Sequence, residues 1–223
     1  MKYIYYSLLF IFAFSIQLKA QLRPKYEDDI LTIKKYDKMY APPVRPTIFV
    51  GSSSIRRWGD LERTFAAYTA MNRGIGGAVI NEITEYVPEL IVEYKPKQVV
   101  IYVGENDLGE KTTTADSIFH RTKRLINTIR AALPTVPILY ISIKPSPARD
   151  KMMPVAKEAN FLISNYLITQ PNIRFIDVFH LMITTEGKSR PELFLPDMLH
   201  MNTQGYKIWT KAIQPFLIKR KEL

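Results

Sequence analysis

The sequence predicts a three-layer α/β/α sandwich on a central parallel sheet of about five strands. Three observations carry that expectation. Short apolar runs stop at glycine or polar residues, as strands buried on both faces do. Helix-length segments separate those runs in strict alternation, with no internal repeat. The 223 residues, 47% hydrophobic and 23% charged, have the composition of an ordinary globular protein of one domain. Intrinsic disorder and fibrous repeats are excluded.

The first twenty residues stand outside that pattern. Met1-Lys2 is a basic start, Tyr3 to Ile16 is apolar, and Gln17-Leu18-Lys19-Ala20-Gln21 follows. This reads as a secretory signal peptide, residues 1–20, cleaved after Ala20. A membrane anchor ranks second, because the run is short of the ~20 apolar residues of a bilayer span. The expectation is an exported protein, periplasmic or secreted, with no stable anchor after cleavage. Removing Lys2 and Lys19 brings the net charge from +10 to +8. The chain has no cysteine, which excludes disulfides, thiolate nucleophiles and lipid attachment through that residue.

Residues 21–46 form a lead-in. Tyr26, Ile30, Ile33 and Tyr36 have near-helical spacing within 26–40, and Ala41 to Pro46 is a proline-rich connector. Residues 47–223 form the main domain. Strands are expected at 47–50, 68–72, 98–103, 137–143 and 173–178. Helices are expected at 79–94, 114–133, 154–169 and 203–219.

In open parallel sheets, reacting groups collect outside the carboxyl ends of the strands. Gly51-Ser52-Ser53-Ser54 follows the first strand. It can place a serine at a helix start, or be a common small polar turn. Gly74-Ile75-Gly76-Gly77 follows the second. It can present bare N–H groups, or be a flexible turn. Its spacing fits neither a dinucleotide fingerprint nor a P-loop. Gly104-Glu105-Asn106-Asp107 follows the third and offers an amide donor or an Asx-turn. Asp197-Met198-Leu199-His200 precedes the last helix, at a spacing that lets the carboxylate orient the imidazole. Asp177 and His180 repeat that spacing, and His120 lies inside a helix with no acid at such a spacing.

Taken in order, Gly-x-Ser, Gly-Gly, Gly-x-Asn-Asp and a near-C-terminal Asp-x-x-His resemble the four blocks of the SGNH (GDSL) hydrolase superfamily. The likeness is greatest to the branch whose first block reads Gly-Ser-Ser-Ser-Ile-Arg, and it runs from the first strand to the last helix. It implies a flavodoxin-like sheet and a serine ester hydrolase needing no cofactor or metal. Ser53 would be the nucleophile, with Ser52 and Ser54 as competing assignments. His200 would be the base and Asp197 its orienting partner. The N–H groups of Ser53 and Gly77 and the Asn106 side-chain amide would form the oxyanion hole. Two residues depart from the family pattern: Ser52 stands where aspartate is usual, and Ala78 where many relatives carry aspartate or serine. Glu105 is expected to face solvent or bond across its loop.

The implied substrate is a small-molecule or glycan ester with a short acyl or O-acetyl group. A lysophospholipase or thioesterase is the alternative within the class. A non-catalytic basic binding protein is the alternative outside it. Lysine and arginine are dispersed along the chain without a nucleic-acid motif, so no nucleic-acid partner is expected.

Overall fold

The computed structural model describes residues 25–219; the expected signal peptide lies outside the described residues. The chain divides into two compact units, Met1–Tyr40 and Ala41–Leu223. In the first, helix α1 (Glu27–Met39) fills the expected 26–40 segment. Glu27, Asp28 and Asp29 occupy its first turn and Lys38 its last, so both ends complement the helix dipole. Among the described residues no helix is long and apolar enough to cross a membrane.

The second unit holds one five-stranded parallel sheet. Its strands are β1 (Thr47–Gly51), β2 (Ala70–Gly74), β3 (Gln98–Tyr102), β4 (Ile138–Ile141) and β5 (Ile173–Ile176). Their order is β2-β1-β3-β4-β5, every neighbouring pair being parallel. This is the flavodoxin-like order, whose switch point lies between β1 and β3. The connecting helices are α2 (Ser53–Arg56), α3 (Leu61–Thr64), α4 (Ile80–Glu85), α5 (Val87–Leu90), α6 (Ala115–Ala132), α7 (Met153–Leu167) and α8 (Thr203–Ile213).

All residues of β1 and β3 are buried, which explains their unbroken apolar sequence. On one face Phe49, Val100, Tyr102 and Leu139 pack with Trp58, Phe65, Trp209 and Ile213. Trp209 of α8 lies edge-on to both Trp58 and Tyr102, with ring centroids 6.0 and 4.6 Å away. On the other side α4 packs on α6 and α6 on α7. The buried Thr122 hydroxyl of α6 meets the Tyr140 hydroxyl of β4 at 3.2 Å.

Strands β4 and β5 and the helix over 153–167 end two residues earlier than expected, and three further differences have a backbone cause. The helix expected over 79–94 is broken into α4, α5 and a short turn at Val92–Tyr94. Pro88 has no N–H for the Thr84 carbonyl, so one helix cannot run through it. The last helix stops at Ile213 rather than 219, and Pro215 sits in the 3-10 turn that follows. The β2 segment starts at Ala70 rather than 68, because Thr69 takes a left-handed conformation with φ 52°.

Candidate active site

The site is assembled where β1, β2 and β3 end. Gly51 closes β1 with φ +141°, and a Cβ there would lie 1.7 Å from the Tyr102 carbonyl oxygen. Only glycine permits that approach, and it lets the Ser52 N–H donate to the same oxygen at 3.0 Å. The chain then turns at once into α2. Ser52 and Ser54 are buried, 1% and 2% exposed. Ser53, first residue of α2, opens onto a cleft of about 610 Å³ shared with Gly76, Gly77, Asn106, Leu199 and His200. Of the three serines, it is Ser53 whose hydroxyl meets a histidine: Oγ lies 3.1 Å from His200 Nε2.

Helix α2 is a single turn, too short for a large dipole, and it is fixed by side chains instead. The Asn72 amide donates to the Ile55 carbonyl at 2.7 Å, while its oxygen accepts from the Gly74 N–H at 2.9 Å. The Tyr206 hydroxyl donates to the Ser54 carbonyl at 3.0 Å.

His200 is held from its other nitrogen. Its Nδ1 lies 2.7 Å from Asp197 Oδ2, and Asp197 Oδ1 accepts from the N–H groups of His200 and Leu199 at 2.9 and 3.0 Å. These donors, His200 foremost, hold the Asp197 carboxyl well below the usual carboxylate range. It is therefore ionised at neutral pH and selects the tautomer that leaves Nε2 free to accept.

Gly77 adopts φ +80°, which places its N–H without side-chain obstruction. The Asn106 amide donates to the Ala78 carbonyl at 3.0 Å, which orients the group and leaves its second N–H available. Asp107 beside it is fully buried. It accepts from the Ile80 N–H at 3.1 Å and from Arg121 at 2.8 Å, clamping the start of α4 to the end of β3. Burial pushes its carboxyl up to about 6, against the pull of Arg121 and the Ile80 N–H.

Glu105 is not solvent-facing. It is 4% exposed and accepts from Lys144 at 2.7 Å, Ser146 at 2.8 Å and the Tyr102 hydroxyl at 3.0 Å. Lys144, three residues beyond β4 and 1% exposed, also donates to the Leu199 carbonyl at 2.7 Å. A buried ion pair thus fastens the loop carrying His200 to the edge of the sheet. Burial pulls the Lys144 ammonium down while Glu105 opposes that shift. The sequence reading missed Lys144. The signal was a lysine at the end of an apolar strand, on the edge where the other groups gather.

Asp177 and His180 form the same carboxylate–imidazole pair at 2.5 Å. The His180 side chain is 62% exposed against 15% for His200, and among the described residues no serine hydroxyl meets it. His120 is exposed and pairs with Asp116 one turn earlier, a partner the sequence reading did not assign. Among the described residues, no group of three or more histidine, aspartate or glutamate side chains is placed to hold a metal ion.

A flavodoxin-like sheet with serine, histidine, aspartate and amide groups gathered at its switch point is the arrangement of an SGNH-type hydrolase. Residues 47–208 match the GDSL-like lipase/acylhydrolase family, and the chain belongs to that family, whose members hydrolyse carboxylic esters. The platelet-activating factor acetylhydrolase IB subunit alpha2 of Gallus gallus is 25% identical over 185 residues, 78% of this chain and 77% of that one. A GDSL-like lipase from Bacteroides thetaiotaomicron superposes with a TM-score of 0.71 at 21% identity, over 84% of this chain and 96% of that one. An acetylxylan esterase from Geobacillus stearothermophilus does so with a TM-score of 0.63 at 14% identity, over 78% and 95%. Both structural likenesses speak to the fold.

Proposed function

We propose that this protein is an exported serine esterase that removes short acyl groups, acetyl above all, from small-molecule or glycan esters. The observation that carries the reading is the relay from Ser53 Oγ to His200 Nε2 at 3.1 Å and from His200 Nδ1 to Asp197 at 2.7 Å. In this mechanism His200 takes the Ser53 proton as the hydroxyl attacks the acyl carbon. Asp197 stabilises the imidazolium. The Ser53 and Gly77 N–H groups and the Asn106 amide receive the oxyanion. The imidazolium then protonates the leaving alcohol. Water, deprotonated by the same imidazole, releases the acid and restores Ser53.

The open cleft favours small acyl groups. A relative named as an acetylhydrolase and a structural neighbour named as an acetylxylan esterase support acetate in particular. A panel of p-nitrophenyl esters of increasing chain length, run beside acetylated oligosaccharides, tests the reading. The expected result is fastest turnover on acetate. A preference for long acyl chains would replace it with the lysophospholipase or thioesterase alternative, and no turnover of any ester with the binding-protein alternative.

A further inference from the structure

A groove adjoins the cleft, and a further depression adjoins that groove. The cleft shares Arg57 with a groove of about 600 Å³ that runs between α2, α3 and α8. That groove shares Lys207 and Lys211 with a third depression of about 400 Å³ bordered by Arg190 and Glu192. The track starts beside the reacting serine: Arg57, which lines both depressions, follows Ser53 by one helical turn, its N–H donating to the Ser53 main-chain carbonyl at 2.8 Å. Neighbours at that spacing lie on one side of a helix.

The track is predominantly cationic. Arg57, Arg63, Lys207 and Lys211 line its first groove against a single carboxylate, Asp60. Further on, Arg190 and Glu192 neutralise each other at 2.8 Å. Among the described residues, none of the four groove cations has an ion-pair partner. Like charges held together without counter-charges raise the local potential and concentrate anions. The floor is partly apolar: Tyr206 stacks on Trp58 with centroids 5.0 Å apart, and Leu195 is 38% exposed. Such a surface suits the faces of sugar rings between acidic groups.

From the shared residues and the unbalanced charge we propose that the track binds an anionic polysaccharide, placing its O-acyl groups at Ser53. This names the substrate class of the esterase proposed above and rests on that reading. Three depressions joined through shared residues offer more surface than a small ester can occupy, which favours a polymer. A polyuronate satisfies both the cations and the apolar floor. Hydrolysis adds water across each ester, releasing acetic acid and leaving a free hydroxyl on the polymer.

The test measures acetate release from O-acetylated polygalacturonate and from O-acetylated dextran of matched acetyl content, with p-nitrophenyl acetate alongside. The expected KM for the anionic polymer is at least ~10-fold lower per acetyl group, and the difference should collapse between ~20 mM and ~0.5 M sodium chloride. Replacing Lys207→Gln together with Lys211→Gln should remove most of the discrimination, and the paired Lys→Arg substitutions should keep it. Equal, salt-insensitive KM values on the two polymers would overturn the inference, as would charge discrimination untouched by the double glutamine variant. So would selective turnover of esters on anionic vesicles. Failure to hydrolyse p-nitrophenyl acetate would instead overturn the esterase reading itself.

Discussion

Asn106 shows what a single side chain has to do here. Its amide is already tethered to the Ala78 carbonyl, so removing it deletes a pre-oriented donor rather than a mobile one. Asn106→Ala is expected to lower kcat by ~10²–10³ with KM little changed, measured by steady-state hydrolysis of p-nitrophenyl acetate. Asp107 next to it has a different task. Its carboxyl ionises near 3.8 when unfolded and near 6 in the fold. Between those values the folded chain holds a proton that the unfolded chain has released, so this residue's contribution to stability falls as pH rises from about 4 to 6. Urea unfolding across that range should show an added downward slope in the wild type, on the order of 2 kcal/mol in total, that Asp107→Asn lacks. Identical pH dependence in the two proteins would contradict the assignment. The sequence placed Asn106 and Asp107 at a strand end, but it could not distinguish the amide facing the cleft from the buried carboxylate. That distinction depends on Arg121 and Ile80, which only the fold brings near.

At the scale of elements, the site depends on how loops are fastened to the sheet. The loop from Asp197 to His200 is tied to β3 and β4 by the Glu105–Lys144 pair, both members of which are buried. Lys144→Met leaves Glu105 buried without its cation and frees the Leu199 carbonyl. The expected destabilisation is about 3–5 kcal/mol in denaturant unfolding. Adding Glu105→Gln should recover part of it, because the unpaired charge is then gone. Strict additivity of the two substitutions would argue against the pair. The ion pair escaped the sequence reading because Glu105 and Lys144 are 39 residues apart, in the loops that follow two different strands. The four blocks were legible for the opposite reason: each is local, with its chemistry written in adjacent residues. Helix boundaries were legible except at Pro88 and Pro215, where a periodic apolar pattern outlasted the backbone's ability to continue. The pairs Asp177–His180 and Asp197–His200 show the limit of local reading. They share a spacing and a hydrogen bond, and only the fold decides which faces a serine.

For the molecule as a whole, strand order was implicit in the sequence only through family resemblance, since apolar runs do not reveal which of them are neighbours. The charge was legible as a total but not as a surface. Cations far apart in sequence, Arg57, Arg63, Lys207 and Lys211, gather beside the cleft only after folding. Export remains a proposal from residues 1–20. Expressed with its native start in a bacterial host, the exported protein should begin at Gln21 by N-terminal sequencing, and a chain retaining Met1 outside the cytoplasm would contradict cleavage. The central claim is that Ser53, activated by His200, attacks the acyl carbon. Its most direct test is labelling with a serine-directed phosphonate, followed by tandem mass spectrometry of the digested protein. One adduct is expected, on Ser53, slowed by orders of magnitude in His200→Ala and absent in Ser53→Ala. An adduct on Ser52 or Ser54, or folded wild-type protein that takes no label, would contradict it.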